Sequence, residues 1–272
     1  MNKECLIIMF ICLISNFTFG QKENLSLSII GGKSYTLLEN NISDGTSSKK
    51  DGYVIDIQIN KAISNFLAIG SGIGFSNYST DVSLDVYSNT ISAIDTEGES
   101  YQYRLNGSDL RENQSIYFID VPLNLIIQNR QKRNFKTFLQ LGISALIPIH
   151  SSFYCTNGVI ESRGYYPQYR VELMNMPNHG FDECILTSTT GKLPTQIGLA
   201  TTLDLGAKIS LGDLYISIAA FVSYGVSSIC KNRELLTYDL KYQSLSSIAP
   251  KVIPYAIGIK LGVTFPLNVG IW

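Results

Sequence analysis

Hydrophobic and polar residues alternate along most of this chain, and the alternation is clearest near its end. In VIPYAIGIKLGVTF (Val252–Phe265), Ile253, Tyr255, Ile257, Ile259, Leu261, Val263 and Phe265 are apolar, whereas Ala256, Gly258, Lys260, Gly262 and Thr264 are small or polar. A repeat of two is the strand repeat, with successive side chains on opposite faces. The stripe outlasts the roughly 9–11 residues a tilted strand needs to cross a bilayer. Long strands with one unbroken apolar face predict a transmembrane barrel.

Seven further strands follow from the same pattern: 24–37, 52–60, 66–78, 116–128, 135–149, 195–209 and 214–229. With 252–265 they make eight. The links between them alternate in length. Short ones cover 61–65, 129–134 and 210–213; long ones cover 38–51, 79–115, 150–194 and 230–251. In up-and-down order, every short link falls at one end and every long one at the other. That is the pattern of short periplasmic turns and long extracellular loops in outer-membrane barrels. Within the long links, Asp81–Ser88, Tyr101–Leu105 and Tyr169–Leu173 also alternate. They fit hairpins rising above the membrane. Two further spanning strands, giving ten, are the alternative; the shortness of each run favours eight.

The N-terminus has a different pattern. Lys3 precedes an apolar run, Cys5–Ile14, and a small residue, Gly20, stands before Gln21. This predicts a secretory signal peptide over 1–20, leaving 21–272 as one barrel domain. No later stretch has the length of a transmembrane helix, so membrane residence demands a closed barrel.

Charge refines the picture. Lys and Arg number 21 against 22 Asp and Glu, for a net charge of -1. No basic face is available for nucleic acid. Asp56, Asp120, Lys136, Asp204, Lys208 and Lys260 all fall on the less apolar face of their strands. Three acids and three bases would then point inward and fill a narrow interior by pairing across strands.

Candidate chemistry is sparse. Beyond the signal peptide, Cys155, Cys184 and Cys230 remain. An oxidising compartment makes Cys155–Cys184 a candidate disulfide, with Cys230 a rival partner; three thiols leave one over. Their spacing suits no metal, and no cofactor motif is present. His150 and His179 lie near Asp182 and Glu183, but neither GxSxG nor HExxH accompanies them. GGKS at Gly31–Ser34 has Leu27 where a phosphate loop needs its first glycine.

The segment IYFIDVPLNLIIQNRQKRNFKTFLQLGISALIPI resembles the central hairpin of the outer-membrane β-barrel family of the Bacteroidota often labelled PorT-like. Phe118, Asp120, Pro122 and Leu123 stand for its aromatic-acidic-x-Pro-Leu strand, and Phe138 and Gly142 for the strand that follows. Ile257–Phe265 is similar to its last strand. The tail departs from the pattern: either Trp272 is the terminal aromatic, or Phe265 ends the strand early. The resemblance implies a barrel in the outer membrane, the bilayer as partner, and no reaction. The expectation is a non-enzymatic barrel acting through its extracellular loops in adhesion, envelope support or contact with secretion-system proteins. A narrow channel for ions or small solutes, and an enzyme with its site in the third loop, are the alternatives.

Overall fold

The computed structural model describes residues 24–129, 135–231 and 244–268. The expected signal peptide, with Cys5 and Cys12, and the terminal Trp272 lie outside these residues. Among the described residues there are eleven strands: β1 (Asn24–Asn40), β2 (Gly45–Ala62), β3 (Leu67–Ile94), β4 (Ser100–Gln128), β5 (Phe135–Tyr166), β6 (Val171–Leu173), β7 (Glu183–Ile185), β8 (Thr190–Gly191), β9 (Gly198–Leu211), β10 (Leu214–Gly225) and β11 (Val252–Asn268). Among the described residues the only helical pieces are two 3-10 turns, Pro177–His179 and Leu245–Ser247, neither long enough to span a membrane.

Eight of the strands close a ring. Each neighbouring pair is antiparallel, in the order β1, β2, β3, β4, β5, β9, β10, β11, and β11 returns to β1 from Asn24↔Asn268 to Asn40↔Val252. Closure leaves no sheet edge within the membrane, as hydrocarbon requires. The fold is a transmembrane up-and-down barrel of eight strands. β6, β7 and β8 are short and pair only with the outer part of β5.

The outward stripe is aliphatic and unburied: Ile29, Ile55, Ile57, Ile73, Leu123, Ile143, Leu205, Ile218, Ile259 and Leu261 are all exposed. Aromatic rings bound it. At the long-hairpin end, Tyr53, Phe75 and Tyr117 form a row with centroids 6.1 and 5.9 Å apart; Tyr35, Tyr224 and Tyr255 lie outward on β1, β10 and β11. Phe66, Phe135 and Phe265 mark the other end. On β11, Tyr255 to Phe265 is ten residues, about 33 Å of strand at roughly 3.3 Å each. A tilt of about 40° reduces this to about 25 Å, the height of a barrel's apolar band.

The expected strands are all present, but several are longer. The links at 38–51 and 79–115 are extended hairpins, with β1–β2 turning over 41–44 and β3–β4 over 95–99. β5 continues from the membrane to Tyr166. Asp81–Ser88 and Tyr101–Leu105 therefore belong to continuations of β3 and β4, not to two more spanning strands. The short turn at Gly212–Asp213 is tight, and Gly212 takes the left-handed conformation it needs (φ 62).

Glycines on the inward face give the polar side chains room. Gly74 pairs with Asp56 on one side and Asp120 on the other. A Cβ at Gly74 would run into the Asp56 carboxylate. Gly142 sits likewise beneath Asn124 and Thr202.

Candidate functional site

The interior is layered, and each layer follows from which residues take inward positions. At the short-turn end, Ala68, Ile126, Phe138 and Ala219 form a small apolar cluster. Lys136 and Lys208 face each other in register there. The Lys208 ammonium lies 4.7 Å from the centre of the Phe138 ring, and that of Lys136 lies 5.2 Å from Tyr215.

The middle layer is polar. Lys260 Nζ lies 3.0 Å from Asp204 Oδ2 and 3.9 Å from Asp56 Oδ2, with both pairs over nine-tenths buried. The same ammonium sits 4.4 Å over Phe221. Asn60 donates to Ser28 at 3.0 Å, and Ser28 shares a hydrogen bond of 2.9 Å with Thr264. Asp120 is buried in the next row and makes no ion pair among the described residues. Two cavities of about 40 and 20 Å³ share Gln58, Gln140 and Lys260 as walls. Each has room for one or a few waters.

Above this layer the interior turns apolar. Leu38, Ile116 and Phe118 have no exposure at all, and Leu146 has almost none. Tyr78 packs edge-on against Phe118 at 5.6 Å, and its hydroxyl donates to Ser223 at 3.3 Å. Further out, the segment around Leu245 closes the mouth. Glu112 is buried and accepts hydrogen bonds from Gln114 Nε2 (2.8 Å), the Leu245 amide (3.1 Å) and the Ser244 hydroxyl. Asn40 donates to Gln114 at 3.1 Å, linking β1 to the latch.

Beyond the membrane, β3, β4 and β5 rise as a continuous sheet. Its inner face buries Leu84, Tyr101, Tyr103, Leu105, Leu110 and Ile160 against Phe181 and Leu186 of the chain between β6 and β8. The tip is fixed by polar contacts. Asp95 accepts from the Glu97 and Glu99 amides at 3.0 and 2.9 Å and from the Tyr166 hydroxyl at 3.1 Å. The Glu99 amide bond, above all, holds the Asp95 carboxyl below its usual range. Partial desolvation, then the Asp95 carboxylate, pushes the Tyr166 phenol up to about 12. Arg163 bridges Glu161 (2.7 Å) and Glu172 (3.5 Å), while Arg104 reaches Glu172 at 3.3 Å and stacks 4.0 Å over Tyr165.

The candidate disulfide needs correction. Cys155, Cys184 and Cys230 are all free thiols. Cys184 pairs with Ile160, five residues along β5 from Cys155. That separation is about 16 Å at roughly 3.3 Å per residue, well past the ~7 Å Cα limit for a bridge. Cys155 instead faces Glu112 at 3.9 Å. Cys230 is buried beneath the mouth segment, and burial pushes its thiol up to about 12. Nor are the histidines brought together. His150 is exposed and sits 5.8 Å from Tyr117 at the end of the outer aromatic row; His179 ends a 3-10 turn far up the hairpin sheet. Asp182 and Ser162 are spent on local backbone bonds. Sequence reasoning missed Glu112 and its latch, since a lone Glu in a polar stretch gave no signal of burial.

No family model matches this chain, and no curated protein matches it. Among solved structures, the chain is similar to Neisserial surface protein A (8% identity, 89% of this chain and 97% of that one, TM-score 0.38). It is similar to the outer membrane protein OprG from Pseudomonas aeruginosa (12%, 91% and 99%, TM-score 0.36). A third is Ail, the attachment invasion locus protein of Yersinia pestis, in complex with a heparin analogue (10%, 89% and 99%, TM-score 0.33). The barrel assignment stands on ring closure and the apolar belt, not on these distant superpositions.

Proposed function

We propose that this chain is an integral outer-membrane protein, exported by the signal peptide over 1–20, that works as a surface platform through the hairpins of β3, β4 and β5. The resemblance of the central hairpin favours the PorT-like family of the Bacteroidota. One observation carries the reading. These three strands have 28, 29 and 32 residues, where crossing needs roughly 9–11. More than half of each strand therefore stands beyond the bilayer, packed and hydrogen-bonded as a sheet. A mere tether for a barrel would not need a folded core there. The partners are the lipid bilayer around the belt and a protein of the envelope or secretion machinery, or an adhesion target, at the sheet.

The dry layer of Leu38, Ile116 and Phe118 and the Glu112 latch support a closed lumen over a conducting one. The small cavities below them fit packing around Lys260 better than a path for solutes. An epitope inserted at Gly98, a turn position with positive φ where an added Cβ would meet nothing within 4 Å, tests orientation. Antibody should label intact cells. Labelling only after permeabilisation would overturn the platform reading. Planar-bilayer recordings of the purified protein should stay silent, and steady conductance would favour a channel.

A further inference from the structure

The two sides of the protruding sheet are treated differently. On the β5 side, β6 pairs with Gly164–Tyr166, β7 with Val159–Glu161, and β8 with Phe153 and Tyr154. On the β3 side, β2 keeps pace only to Gly45↔Leu84. From Asp85 to Ile94, β3 pairs with β4 alone among the described residues. About half of the amides and carbonyls of that stretch point away from β4, as the antiparallel ladder dictates.

Such an edge is a template for another strand unless something blunts it. The usual devices are lysine, proline, inward charge or a cover. Val86–Ile94 reads VYSNTISAI, with no charge and no proline. Val86 and Ile94 are 73% and 70% exposed. The Asp95 turn fixes the end of this edge, and behind it the Arg104–Glu172–Arg163 bridges tie β4, β5 and β6 together.

We infer that the bare edge of β3 over Asp85–Ile94 binds an extended peptide segment of a partner protein by strand addition, with an uncharged centre and basic flanks. This rests on the platform reading for its biological setting, but the edge itself is a property of the folded chain. Charge selects the occupant. Asp85 stands exposed at one end of the edge, and Asp95, Glu97 and Glu99 crowd the turn at the other. Between them lie only neutral residues. Main-chain bonds would supply affinity, and the exposed stripe of Val86, Ser88, Thr90, Ser92 and Ile94 would read alternate side chains. A second copy in the same membrane does not fit. A two-fold symmetric pair of like edges runs antiparallel, whereas two barrels inserted the same way present parallel β3 strands.

The test uses the full mature chain folded in detergent micelles. The probe is a synthetic peptide of alternating threonine and valine with lysine at both ends. Its control carries N-methyl groups on alternate amides. Before peptide is added, hydrogen exchange should show alternating fast and slow amides over Val86–Ile94. Peptide should then slow the fast set, and the N-methylated control should bind at least about tenfold more weakly. Thr90→Lys, with folding checked by heat-modifiable gel migration, should weaken binding by a similar factor. Uniform slow exchange before addition would mean the edge is already covered and would overturn the proposal. So would absent binding, or equal binding of the N-methylated peptide, a result that stands even if Thr90→Lys does not fold. Because the assay needs no cell, its failure is separate from failure of the Gly98 labelling.

Discussion

Replacing Lys260 with methionine asks whether the barrel interior is dry. The substitution keeps the length of the side chain and removes its charge, stranding Asp204 and Asp56. At an effective dielectric of about 20, the 3.0 and 3.9 Å contacts correspond to attractions of about 5.5 and 4 kcal/mol. Most of that is cancelled in the intact protein by the cost of burying the ions. In the variant the cancellation fails, because the carboxylates stay buried without a partner. Breaking a buried pair this way costs about 3–5 kcal/mol. Adding Asp204→Asn removes one of the two stranded charges and should recover roughly half. Urea titration of the protein folded in lipid vesicles, followed by tryptic digestion and gel migration, measures the loss. A Lys260→Met protein within about 0.5 kcal/mol of the parent would refute the reasoning. It would mean that water reaches the carboxylates and screens them as at a surface, a result that favours a conducting lumen.

Other expectations are simpler. Gly258→Ala should cost about 1–3 kcal/mol, since its Cβ would press on the Ser34 Cα at 2.7 Å and on the Lys33 carbonyl of the neighbouring strand; the same urea titration reads it. The lowered folded-state pKa of Asp95 means that its contribution is present above the ordinary aspartate value near 4 and is lost as pH falls through the folded value. Amide NMR signals of Gly98 and Glu99 should therefore hold steady down to about pH 4 and shift below it, whereas Asp95→Asn should abolish the acid step. Maleimide should label half-buried Cys184 first in the folded protein, leaving Cys155 and Cys230 unreacted until urea is added. Fast labelling of Cys230 would show that the mouth segment does not cover it.

The membrane part of the fold was legible because lipid enforces one rule on most outward residues; Lys33, outward beside Ile259, departs from it and pairs with Asp51 at 3.1 Å. Ile55, Ile57 and Ile59, or Ile257, Ile259 and Leu261, had no freedom to be otherwise. Above the membrane that rule lapses, and the strands also change phase. On β4 the buried positions run evenly from Leu110 through Phe118 to Asp120, but below Ser108 they move to odd numbers, Tyr101, Tyr103 and Leu105. The register slips there, between Ser108 and Arg111, and Asp109 takes φ 50. β5 shifts twice: near Pro148–His150, opposite Tyr117 and Phe118, and again at Thr156, between Cys155 and Asn157. Each bulge breaks the period-two pattern, so a strand of about thirty residues reads as two short runs with loop between them. The inward parity of Asp56, Asp204 and Lys260 could be read from sequence. Their convergence on one ammonium could not, because pairing across β2, β9 and β11 depends on the shear of the closed ring.

The seam between β1 and β11 sets the order of assembly. The first described residue meets the last, Asn24 against Asn268, so no partial chain can complete the cylinder. Until the final strand arrives, two rows of main-chain groups would lie bare in oil, each costing several kcal/mol. Insertion is then expected to be nearly all-or-none, because a chain that stops short of Val252 has nothing to cover those two rows.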